Sequence, residues 1–144
     1  MTGPTPRETR HFGEQVVWIE EPDVFVMRLS GEIDGPSLQA LLAFQASWAT
    51  GNAHSFVLCD LSEATGATIE ARRVLQGQPP TTARMTHACF GARFSARVLA
   101  DLVVRAARLL GTVPPETEIM FFANESEARA YIDRTRNANR RRRP

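Results

Sequence analysis

A chain of 144 residues, 43% hydrophobic and 23% charged, has the make-up of one ordinary globular domain, large enough to bury roughly two thirds of its unfolded surface. No apolar run approaches the ~20 residues of a membrane span, and the opening MTGPTPRETRHF lacks the apolar stretch of a secretory signal. All 17 basic residues are arginine and five follow residue 135, so the 12 arginines of the body against 16 acids leave it near −4, ahead of a +5 tail.

Taken in chain order, residues 1–13 are rich in Pro, Thr and charge and read as a flexible leader. Gln15–Glu20 and Asp23–Ser30 are β-rich runs parted by Glu21-Pro22, a hairpin signature. Asp34 offers a helix N-cap with Pro36 in the first turn, Leu38, Leu41, Leu42, Gln45 and Trp48 keep helical spacing, and Gly51 closes the helix. Ser55–Leu61 is a strand ending near Asp60; a Ser/Thr/Gly loop follows, and a second helix opens at Thr68 with Ala71, Val74 and Leu75 inward. Gln76–Arg84, with Pro79-Pro80, reads as a loop and Thr86–Phe90 as a strand. A broad apolar stripe from Phe94 to Leu110 predicts a long third helix, stopped by Gly111 and Pro114-Pro115. Glu118–Phe122 is the last strand, and Asn124 with Glu127 forms a capping box for a helix seated by Ala128, Tyr131 and Ile132. Residues 136–144 are expected to be a disordered arginine-rich tail, leaving 14–135 as the single folded domain.

The order β-β-α-β-α-β-α-β-α predicts an α/β fold with a mixed, mostly parallel five-stranded sheet, its first strand antiparallel to the second. Strand ends followed by helices are where such sheets carry function. Asp60 there reads as a carboxylate capping local backbone N–H groups, since magnesium would call for a second acid. Ser62, Thr65 and Thr68 are possible phosphorylation sites with no nucleophile elbow around them, and Thr68 doubles as helix N-cap. Gly91–Ser95 could offer backbone N–H groups and Arg93 to an anion, but without a spaced-glycine motif. His54 falls at a turn and His87 mid-strand, neither beside an evident partner. Cys59 and Cys89 sit among apolar neighbours and read as small buried hydrophobes of a reducing cytosol. With His11, His54 and His87 they keep no metal-ligand spacing, so no metal or cofactor is expected. The arginine tail lacks aromatic interleaving for nucleic acid and an apolar anchor for membranes.

Val24–Gly31 (VFVMRLSG), Val57–Ser62 (VLCDLS), Thr68–Leu75 (TIEARRVL) and Met120–Ile132 (MFFANESEARAYI) together resemble the STAS-like superfamily, the anti-sigma-factor-antagonist fold, in its STAS/CRAL-TRIO-like branch. The resemblance spans residues 14 to 134. It implies a βα superhelix with helices mainly on one face, and partner or small apolar ligand binding without catalysis. Classical members carry a phosphorylatable Ser in a D-S-S-G segment at the start of the second helix. That segment falls on Thr68–Ala71 here, so the serine position is Ile69 or Glu70 and only Thr68 or Thr65 could stand in.

The expected function is therefore a cytoplasmic, non-enzymatic regulatory module that binds a protein partner through Asp60, Ser62, Thr65, Thr68, Glu70 and Arg72. The alternative is a carrier or sensor of a small lipid-like ligand, motivated by the Phe94–Leu110 stripe. An enzyme would rest on Asp60, His87 and Arg93 alone. The first hairpin is apolar on both alternations, Val16 and Trp18 against Val17 and Ile19, which predicts either a homodimer centred on Trp18 or cover from within the chain.

Overall fold

The computed structural model describes residues 8–77, 84–91 and 118–142. Strands β1 (Arg10–Phe12), β2 (Gln15–Glu20), β3 (Val24–Ile33), β4 (His54–Ala67), β5 (Arg84–Phe90) and β6 (Glu118–Phe122) lie side by side in chain order as one sheet. The β1–β2 and β2–β3 pairs are antiparallel; β3 through β6 run parallel. Helices α1 (Gly35–Ala49), α2 (Ile69–Gln76) and α3 (Glu125–Arg142) are the described helices of this mixed α/β arrangement. The helix expected over Phe94–Leu110 lies outside the described residues, as do Pro79-Pro80.

Among the described residues the sheet has six strands where five are expected. Arg10–Phe12, assigned to a leader, pairs with Gln15–Val17. Side chains hold it there: Phe12 packs 6.0 Å from Phe44 of α1, and the Arg10 guanidinium lies 4.5 Å over the same ring. At the other end α3 runs unbroken to Arg142, through the segment expected to be a disordered tail. Arginine is a good helix former and favours a helix C-terminus, where its charge meets the negative end of the dipole.

The described helices pack on both faces of the sheet, two on the first and one on the second. On the first face Val17, Phe25, Leu29, Val57, Cys59 and Leu61 pack with Leu38 and Leu41 of α1 and Ala71 of α2. On the second, Val24, Val26, Phe56, Leu58, Ala88 and Phe90 pack with Ala128 and Ile132 of α3. A sheet covered on both sides needs near-continuous apolar strands, and Val24–Val26 and Phe56–Cys59 are buried at every position. Both alternations of the hairpin meet this cover. Ile19 packs with the α1–α2 core, whereas Trp18 packs with the core beneath α3.

The caps follow the sequence closely. Asp34 Oδ1 accepts the Ser37 N–H at 2.7 Å and Oδ2 accepts the Ser37 hydroxyl at 2.9 Å. Asn124 Oδ1 accepts the Glu127 N–H at 2.9 Å, and Glu127 reaches back to the Ala123 N–H at 3.3 Å, one residue earlier than in the standard box. The backbone and hydroxyl of Ser37 hold the Asp34 carboxyl below its ordinary value of 3.8. The stabilisation Asp34 gives is therefore fully present above that value and lost as pH falls through the lowered one. Urea titrations at a series of pH values between about 5 and 2 should show the gap between wild type and Asp34→Ala shrinking as pH drops.

Candidate functional site

Strand β4 is expected to stop near Leu61 but runs for 14 residues, and its last part makes the site. Arg28 of β3 stands opposite Asp60, while Ser30 stands opposite Glu63, so β4 holds one extra residue in that interval. Such a bulge frees backbone groups that something must satisfy. Asp60 does so: its Oδ1 accepts the Ser62 N–H at 2.9 Å and also the Ser62 hydroxyl. Its Oδ2 lies 3.4 Å from Arg28 Nε, and the Arg28 guanidinium sits 5.4 Å over the Trp18 ring. Asp60 thus fixes the bend rather than projecting as a free acid. Gly91, at the end of β5 with φ +76°, comes up against Ser62.

Past the bend, Leu61–Ala67 forms an arm paired with the end of β3 through Glu63, Ala64, Gly66 and Ala67. Thr65 is the extra residue of a second irregularity and is exposed. Pairing of β4 with β5 ends at Asp60, so among the described residues no strand lies against the arm's other edge. Thr68 joins arm to helix: its N–H donates to the Ile33 carbonyl at 2.9 Å, and its Oγ1 accepts the Ala71 N–H at 3.1 Å. Ile69 then stands 62% exposed, the larger of two exposed big apolar side chains among the described residues. Glu70 and Arg72 are exposed beside it. Behind them the backbone of Gly35 lies so close that a Cβ there would meet the Glu70 Cβ at 2.9 Å, which seats α2 tightly on the start of α1.

Of the residues singled out from sequence, Asp60 and Ser62 are in direct contact, while Thr65, Thr68, Glu70 and Arg72 follow one another along the arm and the first turn of α2. Asp60 and His87 do not meet. Asp60 is opposite Phe90, three residues beyond His87, about 10 Å along a strand. Arg93 lies outside the described residues. Cys59 and Cys89 are cross-strand partners, both buried and free, and the neighbouring Cys89 thiol together with burial pushes the Cys59 thiol up. Sequence reasoning missed Arg28, Ile69 and Gly91 as neighbours of Asp60 and Thr68. The signal for Arg28 was its place in an otherwise apolar strand.

His54 is half-buried at the start of β4, where a turn was expected. Its ring stacks 4.7 Å from Phe56, with Nε2 2.8 Å from Thr86 Oγ1 and Nδ1 3.1 Å from Asn139 Nδ2. An amide N–H can only donate, so Nδ1 accepts and Nε2 carries the proton. A cleft of about 270 Å³ opens beside it, between the β2–β3 turn, the Gly51–Ala53 turn and α3.

No family model and no curated protein matches this chain. Among the described residues no group of three His, Cys, Asp or Glu side chains is placed to hold a metal, and no helix is long and apolar enough to cross a membrane.

Proposed function

We propose that the chain is a STAS-like, non-enzymatic regulatory module that binds a protein partner through the arm of β4 and the first turn of α2. The observation that carries this is Ile69, 62% exposed at the tip of a short helix. It is flanked by exposed Thr65, Glu70 and Arg72, and its mounting is rigid: Thr68 ties it to β3 and Gly35 seats it on α1. An apolar anchor ringed by polar side chains is the usual form of a binding hot spot. The adjoining arm edge offers backbone groups to an added strand. Ile69 or Glu70 also stands at the serine position of the classical family, so recognition at this point would be constitutive unless Thr65 or Thr68 takes the phosphate. A homodimer through Trp18 has less support, because α3 already packs over the core that Trp18 joins.

A photoreactive residue placed at position 65 should crosslink the partner, which mass spectrometry then identifies. With that partner purified, Ile69→Asp is expected to weaken binding at least about tenfold. The circular dichroism and melting temperature should stay at wild-type values, since the side chain is exposed. Equal affinity of wild type, Ile69→Asp and an Asp60→Ala/Glu70→Arg double variant would remove the surface from consideration.

A further inference from the structure

The second site is the cleft at the opposite end of the sheet, below the start of β4. Three segments far apart in sequence meet there. The β2–β3 turn supplies Pro22 and Asp23, the segment after α1 supplies Gly51, Asn52 and Ala53, and α3 supplies Arg136, Asn139 and Arg140. Positions 136, 139 and 140 share one face of a helix by spacing, so the polar groups converge by design of the helix period.

The chemistry of the lining is one-sided. Asp23 is the lone carboxylate among the lining residues, and it is spent: Arg136 Nε and Nη2 grip its two oxygens at 3.0 and 2.7 Å. That fork, together with Arg136 Nη1 on Asp133 at 2.9 Å, holds the guanidinium 5.3 Å over the buried Phe56 ring. A guanidinium has five N–H groups, so two of Arg136's remain for a ligand. Asn139 uses one amide N–H on His54, and Asn52 uses one on Ser55 Oγ at 3.3 Å; each keeps a second. Arg140 lines the cleft and makes no ion pair among the described residues. The lining therefore presents an excess of N–H donors and two guanidinium groups to one carboxylate, with Asp133 behind Arg136 as a second acid outside the lining.

From this geometry we infer that the cleft is a binding site for a small oxyanion-bearing molecule, a carboxylate or phosphate monoester, held by Arg140 with Arg136, Asn52 and Asn139. Its volume of about 270 Å³ falls just below the usual range of ligand pockets, fit for a small metabolite rather than a polymer. Arginine suits this role because its planar fork matches carboxylate and phosphate oxygens two at a time. The Asp23 and Asp133 contacts spend part of the positioning cost in advance, since Arg136 is already fixed when the ligand arrives. The site lies apart from the β4–α2 surface and stands or falls independently of it.

The test is a two-dimensional NMR titration of the full chain with three probes: inorganic phosphate, citrate and adenosine monophosphate. Saturable shifts are expected at the Asn52 and Asn139 side-chain amides and at Arg136 Nε with at least one probe, with Kd on the order of 1 mM or tighter. The preferred probe reports whether the site takes a bare anion, a carboxylate or a phosphate monoester. Arg140→Gln should weaken that binding about tenfold or more. Arg141→Gln, which removes the same charge from an exposed neighbour outside the lining, should change it less than about twofold. No saturable shift with any probe up to about 20 mM would overturn the site. So would equal losses in Arg140→Gln and Arg141→Gln, which would reduce the effect to diffuse attraction by the basic helix end.

Discussion

Phe25→Ala is expected to destabilise the protein by about 3–5 kcal/mol, lowering the melting temperature by roughly 10–15 °C. Phe25, the second residue of β3, is fully buried between Ile19 of β2 and Val57 of β4. Its ring lies 5.8 Å from Phe44 and 5.6 Å from Trp48, so it is one of the contacts by which α1 sits on the sheet. Truncation removes the transfer energy of the ring and leaves a void walled by a rigid strand on one side and a helix on the other. Phe44→Ala should cost less, because Phe44 is only half-buried. The double variant should cost less than the sum of the two, since both truncations open the same space. Urea denaturation of the three variants checks this. A loss below about 1 kcal/mol for Phe25→Ala would mean that α1 is not held where the packing places it.

What could be read from the sequence was local. The hairpin around Glu21-Pro22, the cap at Asp34, the cap at Thr68 and the Asn124–Glu127 box each depend on a residue type and a spacing of a few positions. The chain forms all four. What could not be read depends on partners distant in sequence. The stretch Ser62–Ala67 is polar and reads as a loop, yet it is strand because the end of β3 lies beside it and because Asp60 absorbs the extra residue. The two-sided hairpin was legible, but not what packs on its second alternation within the chain; that depends on α3 crossing to the second face. The cleft was invisible for the same reason. Asp23 and Arg136 are 113 residues apart, and nothing near Arg136 distinguishes it from the exposed arginines that follow. In the candidate site the acid and the N-cap were legible, and the bulge between them was not. Nor was Ile69 as the exposed tip, because an apolar residue at the start of a helix ordinarily faces inward.

Gly91→Ala is expected to cost about 2–3 kcal/mol, a large effect for one methyl group at the surface end of a strand. Two causes combine. The backbone of Gly91 holds φ at +76°, a conformation that costs an L-residue with a Cβ roughly 1–2 kcal/mol. The new Cβ would also overlap the Ser62 hydroxyl and come within 3.2 Å of the Ser62 nitrogen and 3.3 Å of its Cα. The hydroxyl cannot swing away freely, because it is the group that donates to Asp60. Ser62→Ala separates the two causes. Alone it should cost little, about 0.5 kcal/mol, since the lost hydrogen bond is exposed. In the Ser62→Ala background, Gly91→Ala should cost about 1 kcal/mol less than in wild type, because the hydroxyl is gone while the φ penalty and the close backbone remain. Strict additivity in urea denaturation would show that Ser62 is not what Gly91 makes room for. The pair matters beyond stability, because Asp60, Ser62 and Gly91 meet at the bulge from which the β4 arm continues beside β3. A Gly91→Ala chain that still folds should therefore weaken the partner captured at Ile69 without any change at Ile69 itself, and a full-strength complex would show that recognition does not depend on the bulge.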